Sequence, residues 1–204
     1  MDVWWWRRTS SGIFDTRSFY CALSLTSQVE PFPWKGVWGV KAPRRVAFFV
    51  WTVVWGKILT MDNLRRQGYV LAGWCCMCRA NGESVDHLFL HCPMAAGLWN
   101  FVFRSFGVKW VIPGRFRDLL FSWQNWFGKR SSLIWNMVPA CLLWTFWTER
   151  NRRIFEECEC SESQLVESFC ISLYHWSHEW GFTSSSSLVS FITELGLNSM
   201  SIPL

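Results

Sequence analysis

Three cysteines and one histidine in the middle of the chain follow the spacing Cys-x2-Cys-x8-His-x4-Cys. They are Cys75, Cys78, His87 and Cys92. Two cysteines separated by two residues can direct both sulfurs at one ion from a tight turn. A histidine and a cysteine five positions apart can complete the tetrahedron from the end of a short helix. Because these four ligands leave no position for water, the pattern predicts one structural zinc ion, Zn2+, rather than a hydrolytic centre.

Other assignments fit the same stretch of sequence. Cys76 lies between the two cysteines of the turn, although only the pair named above has the two-residue gap of a zinc knuckle. His91 follows His87 by four residues, so a finger-like histidine pair would leave Cys92 without a metal. The alternative without a metal is that the three cysteines are ordinary buried thiols and the histidine is an ordinary helical residue.

The remaining cysteines do not suggest a secreted, disulfide-rich protein. The chain has nine cysteines, so four ligands leave an odd number. The first residues, Met-Asp-Val-Trp-Trp-Trp-Arg-Arg, contain an acid at position 2 and lack the apolar run of a signal peptide. We therefore predict an intracellular location in a reducing compartment, nuclear or cytoplasmic.

The most apolar stretch, residues 133–148, raises the question of a membrane. It is shorter than the roughly 20 residues that cross a bilayer. It also contains Asn136, Pro139 and Thr145. We predict a buried helix here and no membrane partner.

Apolar residues recur at helical spacing along most of the chain, which predicts a mainly α fold. In that fold, short helices surround the zinc knuckle and a small helical bundle follows. Pro43 suits the first turn of one helix, and Thr60 suits the N-cap of another that ends at Gly68. Ser84 can cap the helix before Pro93, where the next helix begins. Further helices are predicted over residues 18–25, 116–127, 133–156 and 163–180.

Aromatic and basic residues suggest a partner as well as a core. Most of the 17 tryptophans fall at helical spacing with aliphatic residues, which favours packing in the core. Residues 41–66 contain six basic residues and one acid, although the net charge is only +5. Such a basic stretch suits phosphate contacts, and an exposed tryptophan can stack on an unpaired base. For each basic residue taken singly, however, a solvated helix face is the stronger expectation, and for Trp74 the stronger expectation is packing in the core.

The chain resembles the zinc-binding domain found after the reverse transcriptase in plant non-LTR retrotransposon polyproteins. The matching landmarks run in order over residues 2–106. They are Asp2, Trp6, Gly12, Phe14, Ser18, Tyr20, Trp38, the segment 42–51, Leu59-Thr60-x-x-Asn63-Leu64-x-x-x-Gly68, the array itself with Glu83-Ser84 and His87-Leu88-Phe89, and Leu98-Trp99. Residues 144–155 resemble the helical tail that follows this domain. Arg45 replaces the usual lysine, and Gln67 makes the patch less basic.

This resemblance implies a domain order and a set of nucleic-acid contacts. We predict a zinc-binding domain over residues 1–110, a helical C-terminal region over 111–183 and a flexible tail over 184–204. Within that tail, residues 184–187 are a linker or a cap, and one short helix is an option. The predicted nucleic-acid-binding residues are Arg44, Arg45, Lys57, Arg65, Arg66, Arg79 and Trp74.

The motifs that the chain lacks favour a non-catalytic role. The sequence has no Tyr-x-Asp-Asp polymerase motif, no His-Glu-x-x-His motif and no glycine-rich phosphate loop. The leading hypothesis is a module that binds element RNA or target DNA, with no catalysis and no small-molecule substrate. The second is an adaptor that docks on a reverse transcriptase or on another copy of itself. The third is a relic reading frame without activity.

Overall fold

The computed structural model describes residues 9, 11–18, 31–123 and 129–195, with side chains from 133 onwards in the last range. The chain divides into two compact units, residues 1–32 and 33–204. In the first unit Asp15 caps a helical turn at residues 16–18, because its carboxylate accepts the N–H groups of Ser18 at 2.7 Å and Arg17 at 3.2 Å. These bonds hold the pKa of Asp15 below its usual range. The rest of the helix predicted over residues 18–25 lies outside the described residues.

The second unit is built from helices, and its described residues contain no strand. Among the described residues, one isolated bridge pairs Trp74 with Gly82. In chain order the elements are α1 (Trp34–Trp38), α2 (Arg44–Val54), α3 (Met61–Arg66), a π-helix (His87–His91), α4 (Pro93–Ser105), α5 (Phe116–Ser122), α6 (Lys129–Phe155), α7 (Glu162–Glu179) and α8 (Leu188–Glu194). The predicted mainly α fold is confirmed.

Helix α6 is the central element of this unit. It packs along α7 and also contacts α2 and the π-helix. Its side chains are buried on every side of the helix between Ile134 and Phe146, including Trp135, Val138 and Leu142. A helix that is apolar all round lies either in a core or in a membrane. No described helix has the length and apolar character needed to cross a bilayer, and α6 is the buried helix that the sequence predicts.

Helix α2 carries the next part of the core. Its buried face consists of Val46, Phe49, Val50 and Val53. The ring of Phe49 packs against two rings of α6. Its centroid lies 5.6 Å from that of Trp144 and 5.3 Å from that of Trp147. Pro43 occupies the N-cap, one residue before its predicted place in the first turn. The predicted core-facing stripe of α2 therefore places the start of the basic segment directly against the central helix.

Caps explain where several short helices begin and end. Thr60 is at the N-cap of α3 as predicted, but its hydroxyl donates to Asp62 Oδ1 at 2.5 Å instead of accepting a backbone N–H. Gly68 follows α3 with φ +94°, a conformation that suits glycine. Ser187 accepts the N–H of Ser190 at 3.2 Å and begins α8, so the short helix considered for the last residues is present.

The predicted domain boundaries stay predictions.

Two tryptophans compensate for the proline inside α6. Pro139 has no N–H to donate to the carbonyl of Trp135, four residues earlier. The indole N–H of Trp123 donates to that carbonyl instead, at 2.9 Å, and the indole of Trp135 donates to the Trp123 carbonyl at 3.2 Å. The two buried rings stack with centroids 4.1 Å apart and planes 9° apart. The proline thus creates a buried acceptor, and a residue following α5 supplies the missing donor.

We expect Trp123→Phe to lower the free energy of unfolding by about 1–3 kcal/mol, because it removes the indole N–H that donates to the buried carbonyl of Trp135. Pro139→Ala supplies a backbone N–H for the same carbonyl. Trp123→Phe should therefore cost about 1 kcal/mol less in the Pro139→Ala background. Urea denaturation of the two single variants and the double variant measures this coupling. Strictly additive effects would contradict the compensation.

Candidate metal centre

The structure brings together the four residues of the array. One ligand atom from each of Cys75, Cys78, His87 and Cys92 lies within 4.8 Å of the others. Cys78 Sγ and His87 Nε2 are 3.3 Å apart. Around a tetrahedral ion with bonds of about 2.0–2.3 Å, neighbouring ligand atoms are about 3.3–3.8 Å apart. Among the described residues, these four are the Cys, His, Asp and Glu side chains whose ligand atoms lie close enough together to hold one metal ion.

A tight loop presents the first two ligands. The N–H of Cys75 donates to the carbonyl of Asn81 at 2.7 Å, and the N–H of Arg79 donates to the carbonyl of Cys75 at 2.8 Å. Arg79 adopts φ +56°, a left-handed conformation that closes the turn. The bridge between Trp74 and Gly82 joins the two ends of the loop. The predicted loop around Cys75 and Cys78 is therefore a hydrogen-bonded knuckle.

A π-helical turn presents the other two ligands. Ser84 accepts the N–H of His87 at 3.2 Å, which is the predicted cap. The N–H of Cys92 then donates to the carbonyl of His87 at 2.6 Å, five residues back. In an α-helix, side chains five residues apart point about 140° away from each other. The wider π turn reduces that angle, so His87 and Cys92 can face one ion. Nothing in the sequence indicated this π-helix.

The protonation of two of the four ligands, Cys92 and His87, suits a metal. The Cys75 thiol donates to Cys92 and, against the effect of burial, holds the pKa of Cys92 below its usual range, with help from the N–H groups of Met94 and Ala95 in α4. The same hydrogen bond, together with burial, raises the pKa of Cys75. Burial lowers the pKa of His87, which favours the neutral imidazole. A thiolate and a neutral imidazole are the forms that bind metals.

A buried ion pair attaches the knuckle to the central helix. The side chains of Arg150 in α6 and Glu83 beside the knuckle are 4% and 0% exposed. Arg150 donates to Glu83 Oε1 from Nη2 at 2.8 Å and from Nε at 3.2 Å. The same oxygen accepts the N–H of Met61, and Arg150 also donates to the carbonyl of Leu59 at 3.0 Å. One guanidinium thus links α6, the start of α3 and the metal-binding loop.

A second arginine of α6 contacts the knuckle turn directly. Arg153 donates to Glu149 Oε1 at 2.7 Å and to the carbonyl of Met77 at 3.1 Å. Its Nη2 donates to the carbonyl of Cys160 in the α6–α7 connection at 3.2 Å. Burial raises the pKa of Glu149, but hydrogen bonds from Cys160 and Arg153 outweigh it and hold the pKa below its usual range. The sequence offered one signal for these contacts. It is the charged run Glu-Arg-Asn-Arg-Arg, residues 149–153, at the end of an apolar helix.

The structure places the two alternative ligands elsewhere. Cys76 Sγ faces the carbonyl of Arg150 at 3.8 Å. His91 is exposed, and its Nε2 lies 3.2 Å from the carbonyl of Gly114. Neither side chain is among the four residues whose ligand atoms cluster. The geometry therefore favours Cys75 and Cys92 over these neighbours.

The predicted nucleic-acid-binding residues are exposed, but several have partners within the protein. These residues are Arg44, Arg45, Lys57, Arg65, Arg66, Arg79 and Trp74. Arg79 forms an ion pair with Glu159, and Arg66 pairs with Asp62 at 3.5 Å. The guanidinium of Arg45 lies over the ring of Trp144, 5.4 Å from its centroid. Part of the predicted set of basic residues therefore already forms contacts within the protein.

Arg65 reaches the backbone of the residue before Trp74. A Cβ atom on Gly73 would collide with Arg65 Nη1, so the guanidinium rests against the backbone at Gly73. The side chain of Trp74 is 62% exposed although it adjoins a ligand. We call these two residues the knuckle patch. The expectation that Trp74 packs in the core is wrong.

Comparison with known proteins agrees with the metal centre. Residues 14–99 match the family described as "zinc-binding in reverse transcriptase". A protein of Arabidopsis thaliana named "Putative ribonuclease H protein" is 27% identical over 183 residues, which are 83% of this chain and 28% of the relative. The chain therefore spans little more than a quarter of that relative's length. No solved structure matches the chain.

The matched family and the cluster of three thiols and one imidazole together support a structural zinc ion. The predicted cofactor is confirmed, and so is the resemblance to a reverse-transcriptase zinc-binding domain. The matched span includes the knuckle, the π-helix and α2. It does not include Arg150 and Arg153, the two arginines of α6 that contact the knuckle region.

Proposed function

Because residues 14–99 form a zinc-binding domain of the reverse-transcriptase type, we propose that this chain is a non-catalytic module of retrotransposon origin that binds single-stranded nucleic acid. Element RNA is the first candidate ligand and target DNA the second. The observation that carries the proposal is the knuckle patch, an exposed tryptophan on the metal-binding loop with the guanidinium of Arg65 against the residue before it. In this role the protein acts in the nucleus or the cytoplasm.

The knuckle patch has the chemistry of a site for unpaired bases. Stacking of a base on an aromatic side chain contributes about 1–3 kcal/mol and tolerates any base. The guanidinium of Arg65 supplies a positive charge for the adjacent phosphate. Because the loop is closed at both its zinc ligands and its bridge, Trp74 loses little conformational freedom on binding. A rigid aromatic platform of this kind supports binding with only a small loss of conformational entropy.

The basic end of α2 adds to the positive potential. Arg44 and Arg45 lie in the first turn of α2, which contains no acid and has no side-chain cap. Positive charge at a helix N-terminus opposes the helix dipole, a cost of roughly 0.3–1 kcal/mol. The contact of Arg45 with the ring of Trp144 offsets part of this cost, and attraction of a polyanion is a further reason for positive charge at this position.

Two observations support the non-catalytic role. Four protein ligands leave no open position at the zinc for water or substrate. The sequence also lacks the paired acidic residues of a polymerase motif, so no carboxylates are assigned to catalytic magnesium.

Trp74→Ala is expected to weaken binding of a fluorescent single-stranded RNA about tenfold, through loss of one stacking platform. The matched control is Trp34→Ala, because Trp34 is 60% exposed and Trp74 is 62% exposed. Fluorescence anisotropy of the zinc-loaded protein at several salt concentrations measures both affinities. Binding of the wild-type protein that is indifferent to salt, or absent near micromolar concentration at low salt, would refute the proposal.

Docking on a reverse transcriptase or on a second copy of the chain is a second candidate function. The observation in its favour is the exposed apolar run Tyr69–Val70–Leu71, which leads into the knuckle. Exposed aromatic residues are typical anchors of protein interfaces. Light scattering distinguishes the two functions, because a monomer that binds RNA disfavours the adaptor.

A further inference from the structure

The outward face of α2 and its C-cap residue carry aromatic rings in a row. Phe48, Trp51 and Trp55 follow one another at steps of three and four residues, opposite the buried stripe of the same helix. The side chains of Phe48 and Trp55 are 57% and 47% exposed, and Trp51 is half-buried between them. The rings of Phe48 and Trp51 lie 5.4 Å apart with their planes at 31°. We call these three residues the aromatic row.

Positive side chains stand at both ends of the aromatic row. Arg44 begins α2, eleven residues before Trp55, so the row and its first cation extend over about 16 Å. Lys57 follows the helix and is exposed. No acidic residue occurs in α2. The surface therefore combines flat apolar groups with one sign of charge.

A cleft continues the aromatic row beyond the end of α2. It has a volume of about 230 Å3, and its lining includes Trp55, Arg115, Arg117 and Asp86. The acid is engaged, since Asp86 Oδ1 accepts the N–H of Phe116 at 2.9 Å. The residues that line the cleft thus include two arginines and one aspartate, a formal excess of one positive charge. Its size suits a phosphate and part of a sugar rather than a folded segment.

We propose that the aromatic row and this cleft form a second binding surface, which holds single-stranded nucleic acid with bases on the rings and a phosphate between Arg115 and Arg117. This inference rests on the proposed function and adds a site to it. The charge pattern selects the occupant. A protein partner would need acidic groups at both ends of the row, whereas every single strand has a phosphate beside each base.

The first test removes the rings. Phe48→Ala and Trp55→Ala should each weaken binding of a twelve-nucleotide polyuridine RNA about tenfold. Phe155→Ala and Trp180→Ala are the controls, because these rings are 76% and 45% exposed and lie outside the row. The controls should bind within about twofold of the wild-type protein. Circular dichroism and zinc content verify that all four variants fold.

The second test removes the charges of the cleft. For single strands each neutralised phosphate contributes about −0.7 to the slope of log affinity against log salt. Because one phosphate lies between the two arginines, Arg115→Gln combined with Arg117→Gln should make the slope about 0.7 shallower. Arg104→Gln, an exposed arginine of α4, should leave the slope unchanged.

The outcomes separate this inference from the proposed function. If Phe48→Ala and Trp55→Ala bind as the wild-type protein does while Trp74→Ala binds weakly, the row is not a site and the knuckle patch stands. If the row variants alone bind weakly, the inference stands without the knuckle patch. A wild-type protein that binds no RNA overturns both. Row variants that only dissociate a dimer, with RNA binding intact, would overturn the inference in favour of a protein interface.

Discussion

Cys78→Ser and His87→Ala are each expected to reduce the zinc content from one ion per chain to almost none, and to unfold residues 74–98. The apparent binding energy of a structural zinc ion is about 10–16 kcal/mol in zinc-finger peptides, more than the effect of ordinary point substitutions. The α6–α7 pair has its own apolar core, so we expect its helices to persist. Elemental analysis gives the zinc content, and hydrogen exchange shows which amides lose protection.

Two neighbouring substitutions make matched controls for the zinc prediction. Cys76→Ser and His91→Ala alter the same residue types next to the ligands, and both side chains point at backbone carbonyls elsewhere. Each variant should retain one zinc ion. If His91→Ala loses the ion while Cys92→Ser keeps it, the finger-like histidine pair is the correct ligand set.

Arg150→Met is expected to lower the free energy of unfolding by about 3–5 kcal/mol, because it leaves the carboxylate of Glu83 buried without its cation. The substitution also removes the donor to the carbonyl of Leu59. None of the four zinc ligands changes, so the folded variant should still bind one ion. Urea denaturation measures the stability and elemental analysis the zinc content. The two measurements together separate the role of the ion pair from that of the metal.

Arg152 is the matched control for Arg150. It lies two residues further along α6, is half-buried and takes no part in the pair with Glu83. Arg152→Met should change stability by no more than about 0.5 kcal/mol. Adding Glu83→Gln to Arg150→Met removes the unpaired charge and should recover part of the loss. Equal losses for the Arg150 and Arg152 variants would show that the buried pair contributes nothing.

Helices and caps in this protein were predictable because they depend on near neighbours. The stripe of α2 repeats at three and four residues, and the Ser84 cap acts on an N–H three residues away. The proline at the start of α4 needs no partner beyond its own helix. Such features use information that lies within about one helical turn.

Contacts between distant residues were not predictable in this way. Arg150 and Glu83 are 67 residues apart in the chain, and either could equally have been a surface charge. The acceptor that Pro139 leaves open could be inferred, but not that Trp123 would fill it. The π-helix arises because His87 and Cys92 must face one point, which is a tertiary requirement.

The sequence by itself determined the ligand types, their spacing and most of the helices, because a zinc site and a helical stripe are both encoded at short range. Only the tertiary structure decided which basic residues the protein uses internally. Arg79 is paired with Glu159, 80 residues away, and Arg150 and Arg153 are buried against the knuckle. Arg65 lies instead against Gly73, the residue before the exposed Trp74. Charge pairing depends on distance in space, which residue order alone does not specify.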